Sequence, residues 1–306
     1  MPVLFLQPWH PRLKRVKRSV PVFIGFPYWP GLVSVAGMHG THVNQRIKVR
    51  IFFLLKRFNT LFIGQVLYEL PEVSSTNAYA LSLLSEGRPA EGTVVSTFCQ
   101  TAGRGQQGNH WESEPGKNIA LSVLLYPDFL ELRRQFFLNM AVSLAVFDLV
   151  ADCLPDGVKI KWPNDIYVGD RKIAGILIQN TTSNKNISAT VAGIGININQ
   201  TQFLTKPPNP TSLRLETGLD HDLNELIARL CLRLEQRFLQ LREGQHQLLH
   251  MQYLANLYRF DTPAQFQRDS GAVFEGLITG IDENGRLRIR IGLREESFDL
   301  KTIRFL

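Results

Sequence analysis

The chain has 306 residues, enough for about two domains on a soft expectation of roughly 150 residues each. Hydrophobic content of 44% suits a globular protein, while the net charge of +7 raises a nucleic-acid or membrane-surface reading. The distribution of charge argues against that reading: residues 1–68 hold ten Lys/Arg and no Asp or Glu, leaving 24 basic against 27 acidic residues in the remainder.

The front end has scattered Pro, Gly and Trp and a basic cluster from Lys14 to Arg18. A secretory signal would follow that cluster with one unbroken apolar run, but Pro21 and Pro27 interrupt it. No stretch reaches the ~18 apolar residues of a membrane span, so no membrane association is expected. The Arg-rich, acid-free character resembles an organelle transit peptide. The simpler reading is a poorly ordered extension over 1–57, ahead of a body that starts near Phe58. No helix-turn-helix pattern is visible in residues 1–68, which predicts no specific DNA binding. Cys99, Cys153 and Cys231 have neither paired nor metal-type spacing and read as reduced thiols of a cytoplasmic protein.

In chain order, Ser75 or Thr76 caps a short helix over 78–85, and a β-branched strand follows at 92–99. Next comes Gly103-Arg104-Gly105-Gln106-Gln107-Gly108, ending at Trp111, which spells the G-x-G-x-x-G of a dinucleotide-binding turn. That turn needs a helix opening at its last glycine. Here Pro115 and Gly116 break any such helix, and the apolar run 119–126 reads as a buried strand. The arrangement is strand–loop–strand, so the loop is an anion-binding bend of another kind, with Arg104 as its permanent cation.

Apolar residues at Leu132, Phe136, Met140, Leu144 and Phe147 predict an amphipathic helix over 131–154. Short strands are expected at 158–162, 166–168, 172–179 and 187–198. Residues 222–258 read as helix-rich with a break near Gly244, and from Thr262 short alternating strands begin, with Asn284-Gly285 as a hairpin turn. The expected architecture is α+β, a mixed β-sheet with helices plus a small all-β domain at the C-terminal end.

Alternation in the strand at 158–162 puts Lys159 and Lys161 on one face, and Pro163 then stops the strand, presenting Asn164 and Asp165 at its mouth. A lysine in such a place is costly unless it meets an anion. The Gly169-Asp170 turn folds Lys172 back beside that strand. Gly193-Ile194-Gly195-Ile196-Asn197 alternates small and apolar residues, as strands do where a ligand or backbone approaches closely.

Together, Ser75-Thr76-Asn77, the segment from Gln100 through Gly103-Arg104-Gly105-Gln106-Gln107-Gly108 to Trp111, Lys161-Trp162-Pro163-Asn164-Asp165, Arg171-Lys172-Ile173-Ala174-Gly175 and Gly193 to Asn197 closely resemble, in order, the signature segments of the biotin protein ligases. The resemblance implies a class II aminoacyl-tRNA-synthetase-like catalytic domain over 58–260 and an SH3-like β-barrel domain over 261–306. It also implies ATP-dependent activation of biotin to biotinyl-5′-adenylate, then transfer to one lysine of a biotin carboxyl carrier protein.

By the same resemblance, Ser75, Thr76, Asn77, Gln100, Arg104, Gly105, Gln106, Lys161 and Gly193 belong to the biotin site. Ser75, Thr76 and Gln100 would hydrogen-bond its ureido ring, which needs donors and acceptors in a dry pocket. Gly103, Arg104 and Gly108 would close over the adenylate phosphate, with Lys172 assisting; Trp111 would stack on adenine and Asn197 would read its edge with paired donor and acceptor. Lys161 and Arg104 are the expected catalytic residues, Lys161 facing the biotin carboxylate and the α-phosphate. Mg²⁺ is expected with ATP, with Asp165 as its candidate ligand or a neighbour of the ligands. A homodimer is left open. Some members carry arginines at the positions of Gln106 and Asn109, so weaker adenylate retention is expected here. Some also repress their own operon through an N-terminal winged helix, for which residues 1–68 show no pattern.

Two alternatives share part of this chemistry. A lipoate ligase shares the fold and the adenylation chemistry, but that family's Arg-Arg-x-Ser-Gly-Gly-type loop is absent and Gln100 suits a ureido ring better than a dithiolane. A non-catalytic biotin or nucleotide sensor would not need Arg104, Lys161 and Lys172 together.

Overall fold

Two-residue alternation sorts the main sheet into a packed face and a chemical face. The computed structural model describes residues 50–53, 58–204, 209–300 and 302–306. Strands β1 (Arg50–Phe53), β2 (Val66–Leu70), β3 (Val94–Thr97), β4 (Asn118–Leu125), β5 (Val158–Lys161), β6 (Asp165–Val168), β7 (Arg171–Ser183) and β8 (Asn186–Asn197) form one sheet in the order β1-β2-β3-β4-β8-β7-β6-β5. β2 and β3 run parallel and the other neighbours antiparallel, giving the expected mixed sheet. The sheet begins earlier than expected, since β1 lies ahead of Phe58; the rest of the expected extension falls outside the described residues.

On one face Leu121, Val123, Ile160, Ile166, Ala174, Ile176, Ile194 and Ile196 join the hydrophobic core. One step along each strand, Ser122, Lys161, Asp165, Tyr167, Gly175, Gly193, Gly195 and Asn197 fall on the other face. Strict alternation would send Lys172 into the core with Ala174. A register shift against β6 intervenes: Ile166 pairs with Ala174 but Tyr167 pairs with Lys172, leaving Ile173 as the extra residue. This bulge returns Lys172 to the chemical face.

Helix α1 (Thr76–Glu86) packs on part of that face, with Ala80 against Leu70, Val95, Leu124 and Val191. Ser75 is its cap, accepting from the Ala78 amide. On the packed face lies α2 (Gln135–Ala151). The expectation of an amphipathic helix is corrected here: every residue from Met140 to Val146 is buried, because α2 sits between the sheet and two further helices. Leu132–Ala151 is long and apolar enough to cross a membrane by length and composition, yet its apolar surface lies in the core.

A short α3 (Leu213–Thr217) precedes α4 (Leu223–Arg242), which Asp222 caps, and α5 (His246–Ala255) follows the expected break at Gly244. From α4, buried Glu235 accepts from the amides of Leu61, Phe62 and Ile63, tying the first described loop to the helical layer.

A second, antiparallel sheet closes the described chain. It comprises β9 (Pro263–Arg268), β10 (Val273–Ile281), β11 (Leu287–Ile291), β12 (Arg294–Phe298) and β13 (Ile303–Phe305), in the order β12-β11-β10-β9-β13. This agrees with the expected SH3-like architecture. The Asn284-Gly285 turn joins β10 to β11, with Gly285 in the left-handed region at φ 85°. The Gly285 carbonyl accepts from the Trp162 indole at 2.9 Å, so this turn holds the corner next to Lys161.

Candidate active site

Three groups of side chains share the chemical face. The first is a polar cradle at the start of α1. The Asn77 amide donates to the Leu177 carbonyl at 3.2 Å and to Gln179 Oε1 at 3.0 Å, which fixes which atom is nitrogen. Its Oδ1 therefore accepts, and the donor is the Ser122 hydroxyl at 2.6 Å. The Ser122 hydroxyl also lies 2.8 Å from that of Thr76, which in turn donates to Gln100 Oε1 at 3.3 Å. Gln100 Oε1 accepts from the Thr76 amide at 3.0 Å, and that leaves the Gln100 amide group as donor beside the Thr76 hydroxyl. The relay gives the cradle one polarity, a donor on Gln100 and acceptor lone pairs on Thr76.

Ser75, Thr76 and Asn77 are all buried, but the work of Asn77 is internal: its polar atoms are spent on holding Ser122 and β7. Gly193 is its counterpart. A Cβ at Gly193 would overlap Asn77, lying 2.6 Å from its Cγ. Ser122 and Gln179 were not picked out from sequence. Ser122 carried a signal, a lone hydroxyl inside the apolar run of β4; Gln179 carried none.

The second group is the glycine loop. It forms a hairpin closed by Gly105 N–H to Asn109 O at 2.7 Å and Trp111 N–H to Gly103 O at 2.9 Å, with a single 3₁₀ turn at Gln106–Gly108. No helix follows, as expected. Gly108 adopts φ 85°, and a Cβ at Gly103 would lie 2.6 Å from the Trp111 carbonyl, so both positions require glycine. Arg104 is exposed on this hairpin and makes no ion pair among the described residues. The back of the loop is anchored by buried Gln200, which accepts from the Glu114 amide and Asn118 and donates to Glu112.

Beyond the hairpin, the Trp111 indole lies on the paired glycines of β7 and β8. A Cβ at Gly195 would be 2.5 Å from the indole, and one at Gly175 3.0 Å. The Trp111 Nε1 is buried without a partner. Two residues along β8, the Asn197 amide donates to the Thr211 carbonyl at 2.9 Å, while its Oδ1 is buried and unpaired. This corrects the expected paired donor and acceptor: the group left to meet a ligand is the acceptor.

The third group is cationic. Lys172 Nζ pairs with Asp165 at 2.6 Å and lies 5.7 Å from the Trp111 ring. Lys161 has no such partner among the described residues. Its ammonium lies 3.2 Å from the Tyr167 hydroxyl and 4.5, 5.0 and 5.8 Å from the rings of Tyr167, Phe305 and Tyr258. Burial lowers the Lys161 pKa below its ordinary value; Arg259 and Lys172 also lower it, while Asp165 and Asp170 oppose the shift. Asn164, expected at the mouth, is instead turned inward and donates to the Ile176 carbonyl. The Asp165 carboxylate is engaged by Lys172 through one oxygen, and no three His, Cys, Asp or Glu side chains gather as metal ligands among the described residues. Burial and Glu72 push the Cys99 thiol pKa up, the opposite of an activated nucleophile.

A polar cradle and an unneutralised lysine on one mixed sheet, beside a glycine loop without a helix, define a ligase of the biotin/lipoate type. A sequence model of the Biotin/lipoate A/B protein ligase family matches residues 70–197. The Biotin–[acetyl-CoA-carboxylase] ligase of Mycobacterium tuberculosis is 30% identical over 226 residues, covering 73% of this chain and 82% of that one. The Bifunctional ligase/repressor BirA of Escherichia coli is 31% identical over 224 residues, covering 71% and 67% respectively. Biotin protein ligase from Aquifex aeolicus in complex with biotin and ATP shares the fold at TM-score 0.65 and 24% identity, over 78% of this chain and 98% of that one. The chain belongs to the biotin protein ligase family.

Proposed function

We propose that this protein activates biotin with ATP to biotinyl-5′-adenylate and transfers the biotinyl group to a lysine of a biotin carboxyl carrier protein. The observation that carries this reading is the pairing of a polarised cradle at Thr76, Ser122 and Gln100 with an uncompensated ammonium at Lys161. The cradle's donor and acceptors match a ureido carbonyl and its N–H groups. A dithiolane ring would leave them unpaired at a cost of about 1–3 kcal/mol per buried group, which disfavours a lipoate ligase.

In the first step a biotin carboxylate oxygen attacks the α-phosphorus and diphosphate leaves. Lys161 offsets the repulsion between the two anions and stabilises the charge that builds on the phosphoryl oxygens. Arg104 and the hairpin amides close over the phosphate, and Lys172 reinforces them. The Trp111 indole and the free Asn197 acceptor take the adenine. Mg²⁺ would arrive with the ATP phosphates, held by them and by water, and no step above is routed through it. In the second step the neutral amine of the carrier lysine attacks the acyl carbon, AMP leaves, and the amine proton passes to solvent. Positioning supplies most of that catalysis.

We read residues 58–260 as the catalytic part and 261–306 as a β domain that completes it, in a cytoplasmic enzyme without specific DNA binding. The test is incubation with ATP, Mg²⁺, labelled biotin and a carrier domain, with Lys161→Ala as control. Unlabelled carrier with wild-type protein would falsify the ligase reading, and an operator-specific gel shift would overturn the absence of DNA binding.

A further inference from the structure

Three rings from three parts of the chain surround the Lys161 ammonium. Tyr167 comes from β6, Tyr258 from the segment after α5, and Phe305 from β13 of the second sheet. Each ring is itself held. The Tyr258 hydroxyl donates to Asp170 and accepts from Arg259, Tyr167 lies 5.6 Å from Tyr258, and Phe305 meets fully buried Phe266 edge-on at 5.2 Å.

The carboxylate that could have neutralised Lys161 is within reach. Asp165 is its register partner across β5 and β6, yet Asp165 is bonded to Lys172. A carboxylate partner would cancel most of the charge that an anionic reactant meets. The quadrupoles of aromatic faces hold a cation without cancelling it.

We propose that Tyr167, Tyr258 and Phe305 are positioning residues for Lys161, a cage that fixes its ammonium without pairing its charge, and that makes the second sheet part of the adenylation site through Phe305. The proposal rests on the ligase reading above. Charged groups around Lys161 are Asp165 on β6, Asp170 in the β6–β7 turn, Lys172 on β7 and Arg259 beside Tyr258. None of them belongs to β13, so Phe305 acts on Lys161 only through its ring and by excluding water.

The test uses the full chain and two assays. Adenylation is read as biotin-dependent exchange of diphosphate into ATP, and transfer is read by supplying biotinyl-adenylate with a carrier domain. Phe305→Leu keeps the apolar volume and removes the ring face. It is expected to lower kcat for exchange about tenfold, with KM for biotin and ATP changing less than threefold and transfer less than twofold. The alkaline limb of exchange should move up toward the ordinary lysine value of 10.5 as water reaches the ammonium. Phe305→Tyr should recover most of the loss. The cage is overturned if Phe305→Leu exchanges within twofold of wild type with an unmoved limb. It is overturned equally if both half-reactions fall together with the unfolding temperature. Wild-type protein without biotin-dependent exchange would instead remove the ligase reading on which the cage rests. Exchange that Lys161→Ala abolishes and Phe305→Leu spares would remove the cage alone.

Discussion

Asn77 occupies the space that any side chain at Gly193 would need, and a Cβ there would lie 2.6 Å from the Asn77 amide carbon. Asn77 cannot retreat, because it bonds at once to Ser122, the Leu177 carbonyl and Gln179. Gly193→Ala is therefore expected to lower stability by about 1–3 kcal/mol through overpacking. It should also raise KM for biotin about tenfold or more by moving Thr76. Denaturant unfolding and biotin titration check both. In an Asn77→Ala background the same change should lose at least half its effect; strict additivity would mean the two residues are not coupled.

Ser122→Ala breaks the relay at its middle and leaves the Asn77 Oδ1 buried without a donor. The expected loss of stability is about 1–3 kcal/mol. Without Ser122, the Thr76 hydroxyl keeps only its 3.3 Å bond to Gln100 Oε1 and is no longer fixed from β4, so KM for biotin is expected to rise while KM for ATP does not. Equal changes in the two KM values would contradict this assignment.

Burial without a carboxylate partner sets a sign for Lys161. Its folded pKa lies below the ordinary 10.5, so between these values the unfolded chain holds a proton that the folded chain has released. Stability contributed at this residue therefore rises with pH across that window, and the penalty is present in full below it. Lys161→Met removes the penalty. Stability at neutral pH is expected to stay equal or increase by up to about 1 kcal/mol, because an apolar isostere often replaces a buried charge without loss. Biotin-dependent exchange should fall at least 100-fold on the scale of a lost oxyanion-type contact. Unfolding curves from pH 7 to 11 for both proteins decide the matter; a destabilised Met variant would show that the lysine supports the fold.

How much of this was legible in the sequence depended on period. Alternation around Lys159 and Lys161, and the glycines at 193 and 195, placed the chemical face correctly because a strand repeats every two residues. Lys172 reached that face through a bulge at Ile173, which strict period would have missed. The stretch 131–154 looked like one amphipathic helix because Leu132, Phe136, Met140, Leu144 and Phe147 repeat at helical spacing, although the helix begins at Gln135, Leu132 proved exposed and Ser143 buried. Nothing local could have linked Phe305 to Lys161, 144 positions earlier, since their contact exists only once the second sheet docks beside β5 and β6.

Gly195 faces Trp111 while Gly193, two residues earlier, faces Asn77, so the proposed reading puts Gly195 and Asn197 on the nucleotide side. Gly195→Ala would put a Cβ 2.5 Å from the Trp111 indole and lift it from its floor. Asn197→Leu removes the unpaired Oδ1 and the bond to Thr211. Each is expected to raise KM for ATP about tenfold, equivalent to ~1.4 kcal/mol, with KM for biotin within twofold. A biotin effect as large as the ATP effect would place these residues elsewhere in the site.

Gln106 opens the 3₁₀ turn of the glycine hairpin, and Asn109 closes it by accepting from the Gly105 amide through its backbone carbonyl. Both side chains are neutral, so Arg104 is the hairpin's one guanidinium, and in the proposed reading it would meet the phosphate's charge without help from a second one on the loop. A second guanidinium on the same hairpin would add a charge-assisted hydrogen bond, a gain of about 1.5–3 kcal/mol where it reaches the phosphate. The Gln106→Arg variant is therefore expected to hold biotinyl-adenylate longer, with its off-rate at least tenfold lower and the difference shrinking as salt screens the pair. Stopped-flow displacement by excess unlabelled biotinyl-adenylate measures it directly. Equal off-rates at low salt would show that adenylate retention is set by the Trp111 floor and the Asn197 acceptor rather than by charge on the loop.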